Sequence, residues 1–153
     1  LSEMNTLSLK AGIENLPVFL GFLTHFLTER SFSLKRRKEI EIAAEEALVN
    51  IIRYAYQLDK PGDLELSFHD KTDKRLEIEF RDRGTPFDPT SMTEPDTELS
   101  ISERKIGGLG ILLIRRMVDG LSYRRQGDQN ILTFSILMPE DEIANKKGKT
   151  EAS

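Results

Sequence analysis

The sequence predicts an α+β domain: a mostly antiparallel sheet with helices packed on one face. Three observations predict it. Strand-like segments come in adjacent pairs rather than alternating with helices, which disfavours a parallel sheet. Two helical segments with apolar stripes follow one another early in the chain. A third helix, opened by glycines, precedes a second pair of strands. The order is β-α-α-β-β-loop-α-β-β.

Each element has a local reason. Thr6–Lys10 alternates and reads as a short strand. Leu16, Leu20, Leu23 and Leu27 recur at helical spacing, with Pro17 tolerated in a first turn, giving a helix over 14–29. Residues 36–57 hold the strongest helical pattern, with Ile40, Ala44, Ala47, Ile51 and Ala55 on one stripe, and Pro61-Gly62 marks the turn beyond it. Leu64, Leu66 and Phe68, then Leu76, Ile78 and Phe80, alternate with polar residues and read as a hairpin with one buried face. Residues 85–106 carry three prolines and little periodicity, and a loop that long inside a compact domain is usually functional or disordered. Gly107-Gly108-Leu109-Gly110 opens a helix closed by Gly120, and strands over 121–125 and 131–138 meet at a Gly127-Asp128 turn.

Composition narrows the function. The chain has 153 residues, 22 Lys and Arg against 26 Asp and Glu, and a net charge of −4. One domain over 1–139, followed by a charged tail over 140–153, fits that length. The acidic balance argues against nucleic acid as a direct partner. There is no cysteine, so thiolate metal sites and cysteine nucleophiles are excluded, and a reducing cytoplasmic setting is expected. The longest apolar stretch, Leu16–Leu27, falls well short of the roughly 20 residues a membrane span needs, and no membrane association is expected. The basic run Lys35-Arg36-Arg37-Lys38 reads either as a solvated helix start or as a docking patch.

Three motifs carry chemistry, each beside a plainer alternative. Glu46 and Asn50 stand four apart on one helix face. They are either an intrahelical contact or a general base beside an amide oxygen suited to a hard cation such as Mg²⁺. Asp82-Arg83-Gly84 at a strand end is either a turn or a carboxylate placed to accept from an exocyclic amino group. The glycines before the third helix are either a simple helix start or bare amides favouring phosphate. Gly148-Lys149-Thr150 imitates the end of a P-loop, but position 143 is Ile143 and not glycine, so it is set aside.

The ordered combination is far more specific than its parts. Glu-x₃-Asn on a helix, Asp-x-Gly after a strand, a long loop and Gly-x-Gly at a helix start occur in that sequence. With the segments EEALVNIIRYAY, DRGTPFDP, GGLGILLIRRMVD and NILTF, the chain resembles the Bergerat-type (GHKL) ATP-binding superfamily from about Leu9 to Met138. Within it, the chain is similar to the bacterial anti-sigma factor/serine-protein kinase family of the RsbW type. That resemblance implies a two-layer ATP-binding fold with 86–106 as a lid over the nucleotide. It implies Asn50 as Mg²⁺ ligand, Glu46 as catalytic base, and Asp82 reading the adenine amino group with Gly84 giving room. It implies Gly108, Leu109 and Gly110 at the phosphates, Thr133 at the adenine end, and Arg104, Lys105 and Arg53 as phosphate contacts. Where many family members have His, this chain has Tyr54.

Two functions follow from the resemblance. One is an anti-sigma factor with serine-protein kinase activity, moving the γ-phosphoryl group of ATP to a STAS-type anti-sigma factor antagonist. The other is an ATP-dependent partner-switching module with weak or no kinase activity. A sigma factor and a homodimer partner belong to both, although the apolar first helix is equally explained by packing on the sheet. A detached histidine-kinase domain is disfavoured, because neither His25 nor His69 has a phosphoacceptor context.

Overall fold

The computed structural model describes residues 5–91 and 108–138. Five strands form one sheet: β1 (Thr6–Lys10), β2 (Asp63–Asp70), β3 (Arg75–Asp82), β4 (Gly120–Gln126) and β5 (Gln129–Leu137). Their order is β1-β2-β3-β5-β4, and every neighbouring pair is antiparallel. Three α-helices complete the described fold: α1 (Leu16–Thr28), α2 (Leu34–Tyr54) and α3 (Gly108–Met117). This is the predicted α+β architecture. Helix α2 packs against both α1 and α3.

The helices differ in detail from the periodicity. Helix α1 follows a short 3₁₀ turn, Ile13–Asn15, and carries Pro17 in its first turn. Its fully buried positions are Phe19, Leu23 and Leu27, with Phe26 stacked on Phe68 at 4.0 Å between ring centroids. Leu16 and Leu20 lie at the margin of that stripe. Helix α2 starts two residues early because extended Ser33 caps it, accepting from the Arg36 N–H at 3.1 Å. It stops at Tyr54 with Ala55 as its cap, and the Ala55 carbonyl accepts from the Thr85 N–H at 2.9 Å. A carbonyl at a helix end lacks an intrahelical partner, and Thr85 supplies one from across the fold.

The basic run belongs to this scaffold. Arg36 donates to the Met117 carbonyl at 2.5 Å and to Asp119 Oδ2 at 2.7 Å, tying the first turn of α2 to the exit of α3. Arg37 donates to Thr28 Oγ1 and Lys38 pairs with Glu41.

The core lies between the helices and the inner sheet face. Leu64, Leu66, Leu76, Ile78, Phe80, Phe134 and Ile136 are fully buried there. The outer face is polar, with Arg81 and His69 both against Glu79. The β4–β5 hairpin closes in a two-residue loop whose first residue, Gly127, has φ +61°, a conformation that glycine adopts freely.

Candidate functional site

The apolar stripes of the inner sheet face end in polar residues at one edge of the core. Strand β3 runs Leu76, Ile78, Phe80, Asp82, and β5 runs Ile136, Phe134, Leu132, Asn130 in the opposite sense. Asp82 and Asn130 are direct cross-strand partners, and each is only 5% exposed. A buried carboxylate is costly unless it is hydrogen-bonded. Asp82 Oδ1 accepts from the Gly84 N–H at 2.9 Å and from Asn130 Nδ2 at 2.9 Å. Both bonds go to the same oxygen, and Oδ2 accepts none among the described residues. Burial pushes the Asp82 carboxyl above its ordinary range, opposed by the Asn130 and Gly84 hydrogen bonds and by the Arg125 guanidinium.

The turn and the site are therefore one structure. The Asp82 carboxylate reaches two residues ahead with one oxygen, as in an Asx turn, and Asp82 also lines the cleft. Gly84 is required by the end of α2: a Cβ there would collide with the Ala55 carbonyl, which is backbone. Tyr56 braces the same corner, donating to the Asp63 carbonyl and accepting from the Arg83 N–H at 2.6 Å.

Over this corner opens a cleft of about 600 Å³, including its solvent-filled mouth. Ala47, Asn50, Ile51, Tyr54 and Ala55 form the α2 wall, and Ile111 and Ile114 the α3 wall. Tyr123, Asn130 and Leu132 come from β4 and β5, and Thr85, Phe87 and Pro89 from the segment after β3. Mostly apolar walls with a few converging polar atoms suit a flat heteroaromatic ligand. The segment after β3 is anchored: Asp88 Oδ1 accepts from the Thr90 N–H at 2.8 Å, and Arg115 of α3 donates to the Thr90 carbonyl at 2.6 Å.

Glu46 and Asn50 meet one turn apart on α2. Asn50 Nδ2 donates to Glu46 Oε1 at 3.4 Å, which leaves the amide oxygen of Asn50 without a partner among the described residues. Glu46 lies against the first turn of α3, where a Cβ on Gly110 would collide with its Oε1. Glycine at 110 is thus what lets a carboxylate and the start of a helix share one place. An unengaged amide oxygen beside a carboxylate is the donor set a hard divalent cation takes.

Other expected residues are placed differently. Leu132 lines the cleft, so strand alternation turns Thr133 to the outer face, opposite Glu79 and Ser122. Thr133, expected at the adenine end, does not line the cleft, whereas Asn130, two residues before Leu132, does. Arg53 is exposed and does not line the cleft. Gly108 begins α3, Leu109 follows it in the first turn, and Arg104, Lys105 and the rest of the expected lid beyond Ser91 lie outside the described residues, as does the 140–153 tail. Tyr54 lines the cleft. Sequence reasoning missed Asn130, Tyr123 and Arg125. His69 bonds Ser67 and Glu79, His25 faces Glu29, and no metal-binding cluster of His or carboxylates occurs among the described residues.

Fold and cleft together define a two-layer α+β domain with a mostly apolar cleft at one edge of its core. Residues 9–136 match the histidine kinase-like ATPase domain family. The serine/threonine-protein kinase BtrW of Bordetella bronchiseptica is 28% identical over 134 residues, 88% of this chain and 94% of that protein. The serine-protein kinase RsbW of Halalkalibacterium halodurans is 33% identical over 113 residues, 71% of this chain and 67% of that one. Among solved structures, the RsbU and RsbW domains of a Mycobacterium tuberculosis protein superpose with a TM-score of 0.61 at 14% identity, covering 90% of this chain and 33% of that longer one. The SiaB–SiaC complex of Pseudomonas aeruginosa gives 0.59 at 15% identity, covering 87% and 90%. These two show the shared fold. The chain belongs to the histidine kinase-like ATPase family, in its branch of RsbW-type serine-protein kinases, and ATP use comes with that membership.

Proposed function

We propose that this chain binds Mg·ATP in the cleft and phosphorylates a serine or threonine of an anti-sigma factor antagonist. The observation that carries the reading is the pairing of Glu46 with Asn50 on α2, one helix from a buried Asp82 with a free oxygen. Asp82 Oδ2 accepts from the adenine amino group, and the apolar walls hold the ring. The amide oxygen of Asn50 holds Mg²⁺, which neutralises phosphate charge when bound. Glu46 accepts the proton of the attacking hydroxyl as its oxygen bonds to the γ-phosphorus and the bond to ADP breaks. Phosphoryl transfer needs positioning and charge stabilisation above all, and α2 and α3 supply the positions.

The antagonist reading is supported by the kinase names of the relatives and by the fold shared with a structure solved as a SiaB–SiaC complex. A sigma factor, a second copy of the chain and a cytoplasmic setting complete it. Exposed Ile13, just before α1, and Val18, in its first turn, offer apolar surface for a self-contact, and no described helix is long and apolar enough to cross a membrane.

The test is phosphotransfer from Mg·ATP to a purified STAS-type antagonist, followed by intact-mass analysis. The wild type adds one phosphate, Glu46→Ala adds none while still capturing the antagonist, and Asn50→Ala loses both nucleotide binding and transfer. Full transfer by Glu46→Ala removes Glu46 as the base. A wild type that binds both antagonist and ATP but transfers no phosphate leaves the ATP-dependent binding-module reading in its place.

A further inference from the structure

Asn130 is the most connected polar side chain at the base end of the cleft, and no part of the phosphoryl-transfer chemistry requires it. Its amide orientation is fixed from both sides. The oxygen accepts from the Tyr123 hydroxyl at 2.5 Å and from Arg125 Nη1 at 3.1 Å. The nitrogen then faces acceptors only: Asp82 Oδ1 at 2.9 Å, the Thr85 carbonyl at 3.0 Å and, more weakly, the Gly84 carbonyl at 3.4 Å. A flipped amide would set oxygen against three oxygens, so only one orientation is stable. Arg125 reinforces the same backbone by donating to the Gly84 carbonyl at 3.0 Å.

We propose that Asn130 is a positioning residue for base recognition: by occupying Asp82 Oδ1, it leaves Oδ2 as the single acceptor offered to the exocyclic amino group of the bound purine. The inference rests on the reading of Asp82 as the base-reading carboxylate. A carboxylate with two free oxygens in a slot can rotate and offer either. One pinned at Oδ1 by both Asn130 Nδ2 and the Gly84 N–H presents one oxygen, Oδ2. Tyr123 and Arg125, which stand across from Leu132 and Asn130 in the β4–β5 register, extend the control to the edge strand. Base preference is thereby set partly by residues that touch no base.

The experiment compares Mg·ATP with the Mg complex of purine riboside triphosphate, which lacks only the 6-amino group. Affinities are measured by calorimetry on wild type, Asn130→Ala, Asn130→Asp and Tyr123→Phe. The wild type is expected to prefer ATP by roughly tenfold or more, the scale of a hydrogen bond to a charged, buried acceptor. Asn130→Ala should lose most of that preference, weakening ATP roughly tenfold while the analogue stays within about twofold. Tyr123→Phe, which removes one hydroxyl and keeps the ring, should lose part of it. Asn130→Asp sets a second carboxylate against Asp82, so its ATP affinity should fall at neutral pH and recover in mildly acidic buffer, where a shared proton restores a donor to Oδ1.

A wild type that binds both nucleotides equally overturns the Asp82 reading and this proposal with it. A wild type that discriminates, beside an Asn130→Ala that loses both nucleotides alike or keeps full discrimination, overturns this proposal alone. Should Asn130→Ala fail to fold, Tyr123→Phe and the pH dependence of Asn130→Asp decide in the same way. Unchanged discrimination in the first, with no acid recovery in the second, refutes the positioning role.

Discussion

Asp82→Asn separates what the site costs the fold from what it gives the ligand. The substitution keeps the shape and keeps Oδ1 as acceptor for Gly84 N–H and Asn130 Nδ2. It replaces the free Oδ2 with an NH₂ group, so a donor faces the adenine amino group. A hydrogen bond to a charged acceptor contributes about 1.5–3 kcal/mol, so ATP affinity should fall roughly 10- to 150-fold. At an ATP concentration about 100 times the wild-type Kd, the ligand adds ~2.7 kcal/mol, or roughly 5–11 °C in Tm. A 100-fold weaker variant at the same concentration gains only ~0.4 kcal/mol, about 1–2 °C. Without ligand the sign reverses. Burial raises the Asp82 carboxyl, so its contribution to stability is fully present below the ordinary carboxylate pKa and is lost as pH rises through the raised one. The variant, which carries no charge, should therefore melt at or above the wild type at pH 7. The gap should close as pH falls toward about 4, the ordinary aspartate range. Differential scanning fluorimetry over pH, with and without Mg·ATP, measures both effects. A ligand-free variant that melts several degrees below wild type at pH 7, or one that keeps the full ATP shift, refutes the reasoning.

Other perturbations test the frame around the site. Gly84→Ala drives a methyl into the Ala55 carbonyl and should cost about 1–3 kcal/mol, lowering Tm by roughly 2–4 °C for each kcal/mol in a ligand-free melt. Arg36→Met keeps the aliphatic stem and removes the bonds to the Met117 carbonyl and Asp119, so a loss of about 1–2 kcal/mol is expected in urea titration. Gly110→Ala meets only the end of a flexible side chain, so it should melt close to wild type yet displace the Glu46 carboxylate and cut phosphotransfer at least tenfold in the antagonist assay.

What the sequence made legible follows from what is periodic. The paired strands, the α2 stripe and the Glu46/Asn50 spacing depend on repeats of 2 and 3.6, and these need no partner strand to be read. Asn130 was hidden for the complementary reason. In Asn130-Ile131-Leu132-Thr133-Phe134 three apolar residues break the alternation, and Ile131 is fully buried on the outer face between its register partners Arg81 and Arg124. Counting back by twos from Phe134 and Ile136 points to Leu132 and Asn130, but choosing that parity requires knowing which face holds the helices. Arg36 was illegible in another way: nothing local in a run of four basic residues says which one reaches a helix exit 81 residues later.

The corner at Ala55 explains how the two ends of the cleft are kept in register. The cap of α2 accepts the Thr85 N–H, the missing Cβ of Gly84 lets the strand exit lie against it, and the Asp82 carboxylate closes the turn that makes this contact. The base end is thus fastened to the C-terminus of the helix that carries Asn50 and Glu46. Glu46 lies nine residues before Ala55, about 13 Å along the helix axis, and a helix that long bends little. In the proposed mechanism, moving the corner moves the base relative to the carboxylate that takes the proton. Removing an acceptor within the corner leaves that spacing alone. In the proposed mechanism the two variants therefore differ in kind. Asp82→Asn should raise KM for ATP with kcat nearly intact, because the lost contact is equal in ground and transition states. Gly84→Ala should raise KM and lower kcat together, because misplacement by a fraction of an ångström is felt at the reacting atoms. The same KM-against-kcat pattern in both variants would mean that α2 does not act as the ruler between base and base catalyst.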